Sequence, residues 1–393
     1  MEEVYILSGA RTAIGSFGGS LVSFRPAELG AIVIKEAISR GGITPDRVQH
    51  VVMGNVVPSQ PSDAYVSRVA AVNAGVPVEA PAMTLNRLCG SGLQAVISAA
   101  QMIKLGECEI AIGAGTESMS NAPHVVTKAR FGQKLGDIAM VDALLGALHD
   151  PFENIHMGVT AENVAERCQV SREEQDELAV ESHKRAARAI AEGRFKEQIV
   201  PVEIKTRQGA GTFDIDEHVR GDASLEGMAG LKPVFQKDGT VTAGNSSGIN
   251  DGAAAVVLVG ASQLSKAGAK PLARIVAWGH AGVEPDVMGL GPVKAVPVAL
   301  ERAGLTLSQM DVIESNEAFA AQACAVAKQL GLDAQKTNPN GSGISLGHPV
   351  GATGTILTLK CAYELQRIAG RYGLITMCIG GGQGIAMVVE RCV

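Results

Sequence analysis

Two stretches of the chain carry the same pattern of hydrophobic and polar positions. Residues 37–48, AISRGGITPDRV, lie over residues 299–310, ALERAGLTLSQM, with Ala, Arg, Gly and Thr identical at four places and apolar residues matched at the others. Each reads as the end of an amphipathic helix followed by a glycine-containing turn. Each then leads to an apolar run with strand character, HVVMGNVV (50–57) and DVIES (311–315). The correspondence continues in order. GSG at 90–92 opens a helix that leads to the strand EIAIGAG (109–115), and GSG at 341–343 leads through a helix to GLITMCIGGG (373–382). The second interval is longer and carries GHPVGATG. A helix–strand unit present twice predicts two similar α/β halves packed by pseudo-symmetry.

Residues 122 to about 249 read differently, with polar, Gly-rich loops and two helical patterns. These are VTAENVAERC and then SREEQDELAVESHKRAARAIAEG, the latter opened by a capping box from Ser171 to Glu174. This is expected to be an insertion that acts as a lid. The run DGAAAVVLVG (251–260) that follows is apolar enough for a covered central strand and returns the chain to the first half. The expected division is 1–121 as an N-terminal α/β half completed by 250–270, 122–249 as an inserted domain, and 271–393 as a C-terminal α/β half.

Composition narrows the function. At 393 residues the chain exceeds one ordinary core, and 46% apolar residues with 47 Gly and only 3% aromatics fit tightly turned α/β layers rather than a β-sandwich. A net charge of -6 argues against a nucleic-acid partner. The seven cysteines are odd in number and include no CxxC pair, so reduced thiols are expected rather than disulfides or a zinc site. The acidic start MEEVYILSGA is unlike a signal peptide, and the longest apolar run, 252–261, is half a membrane span. A soluble cytoplasmic protein with no membrane partner is expected.

Four positions carry candidate chemistry. Cys89 stands in NRLCGSGL (86–93) at the mouth of a helix, where unpaired N–H groups and the positive dipole end favour a thiolate. Cys378 sits in the last turn of a strand running into GGGQG, and Gly-rich turns expose the N–H donors an oxyanion needs. A single cysteine is more often a small buried apolar residue. The turn context of both together favours chemistry. His348, in SGISLGHPVGATG, lies on a glycine-flanked loop with no helix face to fill, which suits a loop-borne base. Asn316, in ESNEAFAAQA, is either a helix N-cap or a neutral donor to a water or a carbonyl oxygen.

Other features are set aside. His183, on the charged face of a helix, is expected to be solvated. GISLG (343–347) matches a nucleophile elbow, but TNPNGSG before it and HPVG after it supply neither strand nor helix, so Ser345 ranks well below Cys89. The absence of G-x-G-x-x-G and P-loop motifs leaves nicotinamide and nucleoside triphosphate enzymes unsupported, and no HxxxH spacing suggests a metal.

With these residues in hand the chain resembles the thiolase family from end to end: NRLCGSGL around Cys89, GNSSGINDGAAA (244–255), NEAFA (316–320), NPNGSGISLGHPVGATG (338–354) and CIGGGQG (378–384). In detail, ALHDPFENIHMGVTAENVA (147–165) and the Cys89 segment are most similar to bacterial β-ketothiolases, also called acetyl-CoA acetyltransferases. The resemblance implies the thiolase fold, two βαβαβαββ halves in a five-layer α-β-α-β-α core, plus an inserted loop domain that binds coenzyme A. It also implies a homo-oligomer, a dimer or more often a tetramer. The implied reaction is the reversible Claisen condensation of two acyl-CoA molecules, such as two acetyl-CoA to acetoacetyl-CoA and CoA, or thiolytic cleavage of a 3-ketoacyl-CoA. No cofactor or metal is implied beyond the coenzyme A thioester substrates, and the setting is fatty acid or polyhydroxyalkanoate metabolism.

Roles follow from the same resemblance. Cys89 takes the acyl group with His348 as its base, in a ping-pong sequence, and Cys378 moves the proton at the α-carbon of the second acyl-CoA. Asn316, through a water, and His348 face one thioester oxygen, while the N–H groups of Cys89 and Gly380 face the other. Positions matching the family's coenzyme A contacts are Leu148, His156, Met157, Arg220, Phe235, Ala243, Gly244, Ser247, Ala318 and Phe319, with Met288 bordering the acyl group. The inserted domain has 15 Lys and Arg against 20 Asp and Glu, so attraction of the phosphates is local. Ser315 stands where many members have Ala, and Gly227 where some have a Ser that touches the nucleotide. Two rivals are weaker: a decarboxylating condensing enzyme usually completes its site with a second His or a His/Asn set where this chain has Cys378, and a non-catalytic acyl-CoA binder has no use for two thiols.

Overall fold

The repeated helix-turn-strand unit has a backbone cause. In the computed structural model, which describes residues 2–206, 209–266 and 269–393, helices α1 (Pro26–Arg40) and α6 (Gly291–Ala303) end at matched places. Gly42 and Gly304, the identical glycines of the two copies, both adopt positive φ, 59° and 65°. Only glycine takes this conformation freely, so the turn residue repeats with the turn.

The strands that follow complete the duplication. The N-terminal half contains β1 (Val4–Arg11), β2 (His50–Gly54), β3 (Ala82–Leu85), β4 (Ile110–Ser118) and β5 (Asn250–Gly260), in the order β1-β5-β4-β2-β3. The C-terminal half contains β6 (Ala273–Gly282), β7 (Met310–Ser315), β8 (Tyr372–Ile379) and β9 (Gln383–Arg391), in the order β6-β9-β8-β7. The senses match too. β5 runs antiparallel to β1 and β4, as β9 does to β6 and β8, while β4/β2 and β8/β7 are parallel. Where β3 lies beside β2, the second half keeps only a parallel bridge from Ile313 to Thr337. The halves join edge to edge through antiparallel pairing of Val4–Ile6 with Ala273–Ile275.

Helices fill three layers. α1 and α2 (Val66–Asn73) cover the outer face of the first half and α6 that of the second, with α7 (Ala320–Leu330) beside it. Between the half-sheets lie α3 (Ser91–Lys104) and α8 (Thr353–Ile368). β5 is buried along its full length, as its unbroken apolar run requires.

Residues 119–249 leave the sheet between β4 and β5, at the place where β8 and β9 of the other half are joined by Gly380–Gly382 alone. They contain α4 (Met157–Arg167) and α5 (Arg172–Ala191), the latter opened by the expected capping box of Ser171 and Glu174. A fully buried fork between Arg11 and Asp216, 2.7 and 2.9 Å, ties this segment to β1. No helix among the described residues is long and apolar enough to cross a membrane.

Candidate active site

The turn before Cys89 is pinned by its own polar groups. Asn86 Oδ1 accepts from Leu88 N–H at 2.8 Å, Arg87 N–H donates to Ser91 Oγ at 2.8 Å, and Ser91 Oγ donates to Leu88 O at 2.7 Å. Leu88 is held at φ 46°, a left-handed state that costs a leucine about 1 kcal/mol or more. Cys89, the next residue, lines a cavity of about 330 Å³ just before α3 begins.

His348 enters the same cavity from the second half. Its Nδ1 lies 2.7 Å from Thr353 Oγ1, and that hydroxyl lies 3.0 Å from Pro349 O. A hydroxyl has one proton. Given to Pro349 O, it leaves Thr353 to accept from Nδ1–H, so Nε2 is the bare nitrogen. Asn316 Nδ2, 3.4 Å from Nε2, is a donor and fits that assignment. Burial holds the imidazole down at about 4, against 6.5 ordinarily, so it rests neutral.

Asn316 is not an N-cap. α7 begins at Ala320, after Phe319, and Asn316 lies at the end of β7 with its N–H on Thr376 O. Its Oδ1 is buried and meets no protein donor among the described residues. Gly343 packs against it so closely that a Cβ there would stand 2.9 Å from Oδ1.

The two central helices aim at this point together. A Cβ on Gly92 would lie 2.8 Å from Thr355 N–H, and one on Gly354 would run into Leu93. These glycines let the first turns of α3 and α8 touch, bringing two positive dipole ends to one place. The N–H groups of Gly380 and of Cys89 itself point at the Cys89 sulfur and favour its anion. Burial outweighs them and pushes the thiol up to about 11. Cys378, fully buried at the end of β8, is raised further, by burial and by the facing Cys89. It packs in an apolar cluster with Met157, Met288, Ala318 and Phe319, all four of which line the cavity. At rest the site therefore holds two thiols and a neutral base.

Aromatic rings form one wall of the cavity. His156 stacks on Phe235, centroids 4.7 Å apart at 14°, and Phe235 meets Phe319 edge-on at 6.0 Å. His156 Nδ1 accepts from Gly158 N–H and caps α4, and burial keeps this ring neutral as well. Leu148, Met157, Ala243, Ser247, Ala318 and Met288 also line this cavity. Arg220 and Gly244 do not. They line a neighbouring cavity of about 210 Å³, which shares Ala243 and Ser246 with the first and has Gly227 on its wall. Ser247 N–H donates to Ala318 O at 2.9 Å, docking the inserted segment on the second half.

The sequence reading needs one correction here. His183 is not solvated: it is 3% exposed, accepts from Arg220 N–H at 3.1 Å, and is pushed down to about 4 by burial under the 218–223 segment. Ser345 is buried and hydrogen-bonded to Ser182 and Ser342 O, unavailable as a nucleophile. Met119, Val234, Ser246, Ile249 and Val350 line the main cavity without having been singled out, and Thr353 was missed although it stands inside the quoted GATG. A hydroxyl five residues past a loop histidine, opening a helix, was the available signal. All seven cysteines are free, and among the described residues no group of three His, Cys, Asp or Glu is placed to hold a metal.

A thiol, a bare imidazole nitrogen and converging amide N–H groups in one largely apolar cavity define an acyltransferase site. The comparisons with known proteins agree. The thiolase N-terminal domain model matches residues 4–262 and the thiolase C-terminal domain model residues 269–391. The chain belongs to the thiolase family, whose substrates are coenzyme A thioesters and whose chemistry needs no cofactor. It is 62% identical to beta-ketothiolase BktB of Cupriavidus necator over 99% of both chains, and 49% identical to an acetyl-CoA acetyltransferase of the same organism over the full length of both. The solved structure of human mitochondrial 3-ketoacyl-CoA thiolase in complex with CoA is similar at a TM-score of 0.97 and 44% identity, covering 100% of this chain and 98% of that one. The fold is thus the thiolase fold, and the enzyme an acyltransferase of Claisen condensation and thiolysis.

Proposed function

We propose that this thiolase works through an acyl-Cys89 intermediate, and the observation that carries the reading is the bare Nε2 of His348 in one cavity with Cys89 and the N–H groups of Cys89 and Gly380. Cys89 gives its proton to Nε2 as the sulfur attacks the thioester carbonyl, whose oxygen moves between the two N–H donors. The departing coenzyme A sulfur takes the Cys378 proton. The Cys378 thiolate then removes an α-proton from a second acyl-CoA, and the enolate oxygen faces the protonated His348 and a water on Asn316. Attack of the enolate on acyl-Cys89 forms the new carbon–carbon bond and expels the Cys89 thiolate, which recovers its proton from His348. Cys89 regains its own proton, and Cys378 replaces the proton lost to coenzyme A with the α-proton, so each group ends in its starting state. Thiolysis of a 3-ketoacyl-CoA is the reverse.

In the same reading, residues 122–249 hold coenzyme A between the 1–121 half, completed by 250–270, and the 271–393 half. The pantetheine arm lies along His156, Phe235 and Phe319, with Arg220 near the phosphates. Apolar side chains that project into solvent, Phe131, Leu135, Ile138 and Met140, support assembly into a homotetramer. Seven free thiols and a coenzyme A substrate suit the cytoplasm.

The test is to mix the protein with acetyl-CoA, quench in acid, and map peptides by mass spectrometry. An acetyl group is expected on the Cys89 peptide and absent from Cys89→Ala. Acetylation at another residue, or none, overturns the assignment.

A further inference from the structure

Glu117, near the end of β4, is fully buried, yet no role given above uses it. Its Oε1 accepts from Val57 N–H and Asn55 Nδ2, both at 3.0 Å, and its Oε2 from Val56 N–H and Gly351 N–H, both at 2.9 Å. Two donors on each oxygen fill the in-plane acceptor sites of a carboxylate, and none of these four groups can take a proton. The ionised form is therefore the one the cradle fits.

The donors belong to the two loops that matter. Residues 55–57 follow β2, and Val56 O accepts from Asn86 Nδ2 at 3.0 Å, so this loop holds the turn that presents Cys89. Gly351 lies between His348 and Thr353, and its N–H sits so near Glu117 that a Cβ there would run into Oε2. One buried charge thus joins the segment carrying the nucleophile to the segment carrying its base, although the two come from different halves of the molecule.

We propose that Glu117 is a positioning residue whose carboxylate locks the His348 loop to the Cys89 loop and so sets the approach of Nε2 to Sγ. The proposal rests on the thiolase reading of Cys89 and His348. Its charge has a second effect. Burial outweighs the three backbone N–H groups and leaves Glu117 raised to about 8, against the geometry of the four donors, which matches the anion; once ionised, the carboxylate also helps raise the Cys89 thiol. The other titratable groups facing this pair are Asp251 on β5, His348 on its loop and Cys378 on β8.

Glu117→Gln keeps the size but sets an NH2 group against backbone N–H donors. Misplacing a base by about 1 Å costs on the order of 100-fold in rate, so kcat for acetoacetyl-CoA thiolysis is expected to fall by about that factor. KM for coenzyme A should stay within about threefold, because the stacking wall lies on other segments. The pH profile of Cys89 alkylation by iodoacetamide should move to lower pH, which a loss of packing alone does not produce. Asn55→Ala, a milder change that removes one donor, is expected to lower kcat about tenfold with KM unchanged, and it decides the matter if Glu117→Gln does not fold. Folded Glu117→Gln with wild-type kcat and an unmoved alkylation profile overturns the clamp, as does Asn55→Ala with wild-type kcat. Wild-type protein that takes no acetyl group on Cys89 overturns the thiolase reading instead, whatever the variants do.

Discussion

Thr353 Oγ1 stands 2.7 Å from His348 Nδ1 and donates its one hydrogen bond to Pro349 O, so a single hydroxyl decides which face of the imidazole is basic. Thr353→Val keeps the shape and removes this acceptor. The ring is then free to place its proton on Nε2, and kcat for thiolysis is expected to fall about 10–100-fold, the range of a mis-set general base. Thr353→Ser, which restores the hydroxyl, should stay within about threefold. Steady-state rates with acetoacetyl-CoA and coenzyme A check both.

Acid stability should report the buried imidazoles. His183, His280 and His348 are each held down at about 4, chiefly by burial, against 6.5 when unfolded. Between those values the unfolded chain binds protons that the folded chain does not, so stability present above pH 6.5 is lost as pH falls towards 4. His348→Gln removes one such group. Urea midpoints measured from pH 7 to 4.5 should show a shallower decline for the variant, by about one proton in the linkage slope.

Lys360 and Glu314 form an ion pair at 2.8 Å, with side chains 1% and 0% exposed, and Lys360 also donates to Gly341 O at the start of the His348 loop. Burial pushes Glu314 up to about 7 even with the lysine beside it. Lys360→Met strands that carboxyl and is expected to cost about 3–5 kcal/mol. Lys360→Met with Glu314→Leu should recover most of the loss, because an apolar pair of similar size meets no desolvation penalty. Equilibrium unfolding of both single variants and the double variant closes the cycle.

Phe235 bridges His156 and Phe319 through two ring contacts. Such contacts are worth about 0.5–1.5 kcal/mol each, and losing both loosens the wall along which the pantetheine arm is proposed to lie, so Phe235→Ala should raise KM for coenzyme A by up to about 5–150-fold while changing kcat less. Initial rates at varied coenzyme A, with the 3-ketoacyl substrate held saturating, separate the two constants.

Much of this architecture is legible in the amino acids because the same physical demands occur twice. Gly42 and Gly304 both sit at a left-handed turn, so the duplicated halves announce themselves by an identical residue. β5 could be placed at the centre from its unbroken apolar run alone. Cys89 and His348 were readable because glycine-rich turns leave their side chains nothing to pack against locally. What stayed hidden depends on distant segments meeting. His183 looked solvated because its helix face is charged, and only the 218–223 segment folding over it makes it a buried acceptor. Glu117 lies just past the EIAIGAG run and carried no signal of its own, since three of its four donors are backbone amides, which have no residue signature. Asn316 could have capped a helix, and the point where α7 begins depends on the docking of residues 245–247.

The excursion from Ser118 to Asn250 leaves and re-enters the sheet on neighbouring strands that are already paired, Asp251 opposite Ser118. Closing a longer loop costs only a logarithm of its length, so the scaffold is nearly indifferent to what hangs there. The other half spans the equivalent gap with three glycines. Such a port lets the ligand-gripping part of the molecule be exchanged, shortened or rebuilt while the bond-making centre keeps its geometry, which makes it the natural seam along which to graft new substrate preferences.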